Sequence, residues 1–461
     1  MKTWFCFLFI CLCCAATEAQ RVSTRLDDNW LTIAGDMHTL PASQYAAASI
    51  ETKNWKKVSV PHNWDAYEGY RRLLHGNRHG EAWYRRSLRI GQSLKNKRAL
   101  LFFEGAGSYA TVYLNGKQIG YHAGGRTSFT IDITEVVKKD NQENILTVYT
   151  GHPANIRDLP WVCGGCSEER GFSEGSQPMG IFRPVHLVIT SDISFAPFGI
   201  HAWSGEEVNK EKAVLRVRTS FKNKAATNRK VTLVTRLVNQ EGKIITTISS
   251  QHSVKPLDSI EVDQQPVTVT APSLWSPADP YLYKIISELR DGKGVLDKIE
   301  TDYGFRKIKW DSSSHRFFIN DQPLFINGVA EYEHIIGQSH AFSDLQVEAR
   351  MRWLQSAGFN AFRDGHQPHN LRYGQWCNRM GVLWWTQLSA HVWFDSPAFR
   401  ENFKTLLKEW VIERRNDPAV ILWGLQNESK LPEDFARECT ELIRCFFFQA
   451  EDGIRDLTVT G

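Results

Sequence analysis

Side chains capable of acid–base chemistry recur at four places where an apolar run of the sequence stops. Glu333 and His334 follow the run at 324–328, and Arg363 and His366 follow 360–363. His391 comes after 382–385, while Asn427 and Glu428 close the run VILWGLQ at 420–426. Loop residues are commonly polar and solvated, so each position alone says little. A carboxylate at the end of a strand that reads as buried is different, because burying a charge costs free energy. Four such strand ends together point to an enzyme.

The elements that must position these residues are legible between 316 and 444. Ser343 with Gln346 three residues on is a capping-box signature, Val347, Met351 and Leu354 form an apolar stripe, and Gly358 ends the helix. A strand at 360–363, a helix at 371–380 and a strand at 382–385 follow. The next helix has Pro397 in its first turn and Phe399, Phe403, Leu406, Leu407 and Trp410 on one face. A strand at 419–426 and a helix at 431–444 complete the series. With a first strand at 324–328, these are four strand–helix units, half of a (β/α)8 barrel. In that fold, chemistry sits at the C-terminal ends of the strands.

The preceding residues read as short strands punctuated by turns, including Asn115-Gly116 between apolar runs. The expected architecture is multidomain. A jelly-roll β-sandwich covers 20–192, an immunoglobulin-like β-sandwich 193–310, and the first half of a TIM barrel 311–444. The segment 272–277, PSLWSP, reads as an edge or loop.

Composition bounds the function. The chain of 461 residues carries a net charge of only +4, with Lys and Arg scattered, so nothing calls for nucleic acid. The 16 Trp and 25 Phe suit sugar-binding walls and sandwich cores equally. Residues 1–19 have one Lys, an apolar stretch too short to span a bilayer and small residues up to Ala19, which reads as a secretory signal. The expected location is periplasmic or secreted, with no membrane span. Four of the nine Cys leave with that signal. Cys163 and Cys166 lack further zinc ligands nearby, and the reading is a local disulfide or two free thiols. The sequence shows no closed metal-ligand set and calls for no cofactor, and it leaves a divalent cation open.

The segment 414–428, RRNDPAVILWGLQNE, closely resembles the acid/base signature of glycoside hydrolase family 2. The segment 360–368, NAFRDGHQP, followed by GVLWW at 381–385, resembles that family's other signature. VPHNW at 60–64, WYR at 83–85 and GIFRP at 180–184 resemble its N-terminal sugar-binding domain. The resemblance spans nearly all of the chain from 20 to 444. It implies retaining exo-hydrolysis of β-glycosides, β-galactosidase first, with β-glucuronidase and β-mannosidase beside it and a carbohydrate as the partner.

By the same resemblance Glu428 is the general acid/base and Asn427 holds the sugar 2-hydroxyl. Arg363 and His366 line the site. Glu333 and His391, from their places at strand ends, and Trp423, beside Glu428, are expected as further substrate contacts, although His391 lies two residues off the spacing of the family's His. A proton donor near neutral pH needs a raised pKa, which partial burial beside Trp423 would give Glu428. Three departures stand out. Asp364-Gly365-His366-Gln367 replaces small-small-His-Tyr, Ala330 stands where the pattern has Asn, and the third strand ends TQLS at 386–389 rather than in an acidic-Asn pattern.

The family's nucleophilic Glu belongs to a later barrel strand, around the seventh, and no Glu here matches it. The expectation is an incomplete chain, inactive by itself, with 445–461 a sequencing artefact. The rival reading is a non-catalytic carbohydrate-binding protein.

Overall fold

The computed structural model describes residues 21–35, 42–64, 79–153, 156–160, 178–335, 339–390, 395–427, 429 and 431–447. The expected signal, Cys163, Cys166, His391, Glu428 and the segment from 448 onward lie outside them. The first domain is a sandwich of two antiparallel sheets. One orders its strands Lys56–Val58, Trp30–Gly35, Gly80–Leu88, Asn144–His152, Tyr109–Leu114 and Lys117–Ala123. The other orders Val22–Arg25, Val185–Ser191, Lys97–Phe103 and Phe129–Asp132. Alternation builds the core. Lys97–Phe103 turns Ala99, Leu101 and Phe103 inward, where Ala110, Val112 and Leu114 of the facing sheet join them in one cluster. Asn115 and Gly116, with φ of 52° and 85°, supply the two left-handed residues of the tight turn expected there.

The second domain is an immunoglobulin-like sandwich with its own core, in which Phe221, Leu233, Ile285 and Tyr303 are buried. Its segment 272–277 does more than close an edge. Trp275 is fully buried and its indole N–H donates to the Asn378 carbonyl at 2.7 Å, docking the sandwich on the third domain.

The third domain alternates strand and helix: β1 (Gly328–Glu331), α1 (Asp344–Ser356), β2 (Ala361–Asp364), α2 (Leu371–Met380), β3 (Leu383–Ala390), α3 (Pro397–Arg414), β4 (Val420–Gln426) and α4 (Glu433–Phe447). The four strands are parallel and lie in sequence order. Both halves of the Ser343–Gln346 capping box are formed. Ser396 caps α3 with Pro397 in its first turn. Gly381 ends α2 at φ 70°, where a side chain would strike Pro277. Phe399, Phe403, Leu406, Leu407 and Trp410 are buried against β3, β4 and α4, at about 1.5–3 kcal/mol for each large apolar side chain.

The first parallel strand corrects the reading of 324–328. Gln322–Leu324 pairs antiparallel with Arg316–Ile319, and Phe325 is 84% exposed. Asn327 N donates to Asn360 Oδ1 at 2.8 Å and Asn360 N to the Asn327 carbonyl at 3.0 Å, so the chain joins the sheet only at Gly328. An apolar run alone does not say which neighbour a strand pairs with. Helix α4 also continues past Arg444 to Phe447.

Arg183 ties the first domain to the third. Its guanidinium donates to Glu333 Oε2 at 2.8 Å, to the Pro368 carbonyl at 2.7 Å and to the Arg126 carbonyl at 2.5 Å. Both side chains of the Arg183–Glu333 pair are 1% exposed. Removing one partner of such a pair strands a buried charge, so Arg183→Met should lower stability by about 3–5 kcal/mol. The more exposed Arg98–Asp132 pair should cost under about 1 kcal/mol on Arg98→Ala. Urea unfolding of both variants checks this, and equal small losses would refute the anchoring role.

Candidate active site

Two lines of side chains cross the C-terminal ends of β1–β4. The first runs from β2 over β3 to β4. Arg363 lies with its guanidinium 4.4 Å from the centre of the Trp385 ring, and Nη2 donates to Asn427 Oδ1 at 2.8 Å. The aromatic face steadies the cation and the amide oxygen takes one of its donors. Asn427, 8% exposed, is thereby fixed at the end of β4. The second line runs from β1 to β3. His366 Nδ1 is 2.9 Å from Gln387 Oε1, and Nε2 is 3.5 Å from the Tyr332 hydroxyl, with the two rings edge to face.

Beneath both lines lies a buried polar layer. Asp364 is fully buried and accepts from the Trp384 indole at 2.7 Å, the Thr386 hydroxyl at 2.8 Å and Gln387 N at 3.2 Å. Trp410 of α3 donates to the same Thr386 oxygen at 3.0 Å. Burial pushes the Asp364 carboxyl above its ordinary value, and His369, the Trp384 indole, Arg414 and Thr386 only partly offset it. The departure at 364 is therefore not aimed at a ligand. It is matched by the departure at 386–387 on the neighbouring strand.

Profiles of one family match the three domains in order. The sugar binding domain of glycosyl hydrolases family 2 matches residues 45–191, the profile named for the family itself matches 202–306, and its TIM barrel domain matches 312–446. The chain belongs to glycoside hydrolase family 2. It is 27% identical over 457 residues to a β-glucuronidase of Bacteroides fragilis, covering 95% of this chain and 61% of that protein. It is 25% identical over 418 residues to a β-galactosidase of Thermoanaerobacter pseudethanolicus, covering 90% and 53%. The crystal structure of a putative β-galactosidase from Bacteroides fragilis superposes with a TM-score of 0.79 at 25% identity, over 93% of this chain and 62% of that one. A putative β-glucuronidase of Formosa agariphila is 26% identical over 92% of this chain, which covers 39% of that protein. The chain thus spans from about two fifths to three fifths of the curated relatives it matches.

Within this family 2 chain the structure brings Arg363, His366 and Asn427 to the strand ends. Glu428 and His391 lie outside the described residues. Glu333 is enclosed in an ion pair rather than open at the strand ends. It is 2% exposed, and its carboxylate takes Arg183 on one oxygen and Asn370 N, at 2.7 Å, on the other. Burial opposes its ionisation, yet Arg183, His369 and Arg126 together hold it below the usual carboxylate range. Trp423 packs edge to face against Trp410 at 4.7 Å, in the layer between sheet and helix. Tyr332, Trp385 and Gln387 are the side chains that sequence reading missed at these strand ends. Gln387 had a signal, since it falls in the departure at 386–389.

Asp364→Asn would set an amide NH2 against the Gln387 N–H donor, costing about 1–3 kcal/mol. The sign of its pH dependence follows from the raised carboxyl. Above the raised value the ionised group penalises the folded state, and the penalty fades as pH falls toward the unfolded value of about 4. The wild type therefore gains on the variant on acidification. Urea midpoints at about pH 7.5 and pH 4.5 should show the gap widening, and a narrowing gap would contradict the assignment.

Proposed function

We propose that the complete protein is an exported retaining exo-β-glycosidase with Glu428 as proton donor and a β-galactoside as the foremost substrate. In this reading the first domain is a jelly roll and β1–α4 form the first half of the barrel. The Arg363–Asn427 bond carries the proposal, because it fixes the residue immediately before Glu428 at a barrel strand end. A retaining site needs two carboxyl groups about 5–5.5 Å apart across the anomeric carbon. As one carboxylate attacks that carbon, Glu428 protonates the departing glycosidic oxygen. Glu428, now a carboxylate, then takes a proton from the water that releases the sugar. Asn427 would meet the 2-hydroxyl, and Arg363, held flat on Trp385, would keep Asn427 in place. The attacking carboxylate is expected from a later strand of the complete protein, so the 461-residue chain expressed alone should be inert.

The relatives named β-glucuronidase, at 26–27% identity over more than nine-tenths of this chain, favour a β-glucuronide as the second reading. A panel of nitrophenyl β-galactoside, β-glucuronide and β-mannoside should show turnover by the product of the complete reading frame. Silence across the panel would sink the glycosidase reading and leave the binding-protein alternative.

With the active glycoside, Glu428→Ala should slow hydrolysis by about 10²–10⁴-fold for a poor leaving group. Nitrophenolate leaves without a proton, so its loss should be smaller. Equal losses on both substrate types would remove Glu428 from the acid role.

A further inference from the structure

Gln387 sits on β3 opposite Gly424 of β4 and is fully buried. Its side-chain oxygen is the group 2.9 Å from His366 Nδ1. A carbonyl oxygen can only accept, so this contact requires the ring proton on Nδ1, and in the neutral ring that leaves the lone pair on Nε2. That lone pair faces the hydroxyl of Tyr332, a residue 41% exposed at the end of β1. At 3.5 Å the two are at the outer limit of a direct hydrogen bond.

We propose that Gln387 is a positioning residue, holding His366 as the Nδ1–H tautomer so that Nε2, beside the Tyr332 hydroxyl, accepts a hydrogen bond from a sugar hydroxyl. The proposal rests on the glycosidase reading of this site and adds what one corner of it recognises: an uncharged hydroxyl.

Three features fix the strand, the loop and the space around the amide. Gln387 N donates to Asp364, whose carboxylate is itself locked by Trp384 and Thr386. Ser389 N donates to the His366 carbonyl at 3.2 Å, tying the loop after β2 to β3. Gly424 makes room: a Cβ there would lie 2.7 Å from Gln387 Nε2 and 3.0 Å from Trp385 Nε1. The glycine of the motif at 414–428 is thus explained by close approach of side chains.

The choice of an amide has a chemical consequence. A carboxylate at 387 would fix the same tautomer but would also draw a second proton onto the ring, turning the acceptor into a donor. Among the described residues, the titratable groups on the elements next to this ring include Tyr332 after β1 and Arg363 and Asp364 on β2, while β3 presents the neutral Gln387. The resemblance led one to expect an acidic residue and Asn near this point of the third strand.

The test uses the complete protein and the variants Gln387→Glu, Gln387→Met and Gly424→Ala. Ring-nitrogen shifts of His366, assigned by its own replacement in histidine-labelled protein without substrate, should show the Nδ1–H form in the wild type. Gln387→Glu should keep that form and move its protonation up by about 1–3 pH units. The acid limb of kcat/KM on the active nitrophenyl glycoside should move with it. Gln387→Met and Gly424→Ala should abolish the tautomer preference and raise KM by about 3–10-fold, with kcat and the unfolding midpoint less affected. An Nε2–H tautomer in the wild type would overturn the proposal, as would an acid limb that stays put while the ring titration moves. Were every glycoside silent, the functional reading would fall, and the ring-nitrogen shifts would still decide the part played by Gln387.

Discussion

Glu333 is buried with Arg183 and Arg126 where the first domain meets the end of β1. Such a charge is tolerable only if its partners stay, since losing one leaves the other uncompensated in a medium that solvates it poorly. The constraint reaches both ways. Arg183 also donates to the carbonyl of Pro368, and Glu333 accepts from the backbone of Asn370. The loop between β2 and α2, which carries His366, is therefore held by a residue of the sandwich. The first domain thereby helps shape the strand ends.

Below the site, rigidity comes from polar groups fully enclosed and fully paired. Asp364 takes three donors from β3, and Thr386 accepts from α3. A half-satisfied network of this kind would be worse than an apolar layer. Complete, it fixes the spacing of β2, β3 and α3, and side chains mounted on such strands hold their geometry better than side chains on loops.

What could be read from the sequence divides along range of interaction. Ser343 with Gln346, Ser396 with Pro397 and Gly381 act within one turn of chain, and each forms as its local chemistry requires. The apolar face of α3 was equally legible, because helical periodicity reports burial directly. The strand at 328–331 was misplaced, since pairing depends on where Asn327 and Asn360 meet, and hydrophobicity does not encode that. Glu333 looked like a site residue for the same reason: its partner Arg183 lies 150 positions away. The family motifs picked out Arg363, His366 and Asn427. Trp385 lay within a quoted motif without a role of its own, and Tyr332 carries no signal apart from its neighbours in space.

The departures at 364 and 386–387 become a single feature once strand alternation is applied. Successive residues of a strand point to opposite faces. Arg363, Trp385 and Gln387 therefore share the face that carries the site. Asp364, Trp384 and Thr386 share the face toward the helices, where Trp410 completes the set. One strand pair thus presents two coupled layers, a polar clamp on the helix side and a recognition surface on the other, joined where Gln387 N meets Asp364. A one-residue slip of β3 would exchange the faces and destroy both layers together. An acidic residue at 364 and an amide at 387 are best understood as parts of one arrangement, in which the buried carboxyl fixes the strand through its hydrogen bonds and the neutral amide orients the histidine.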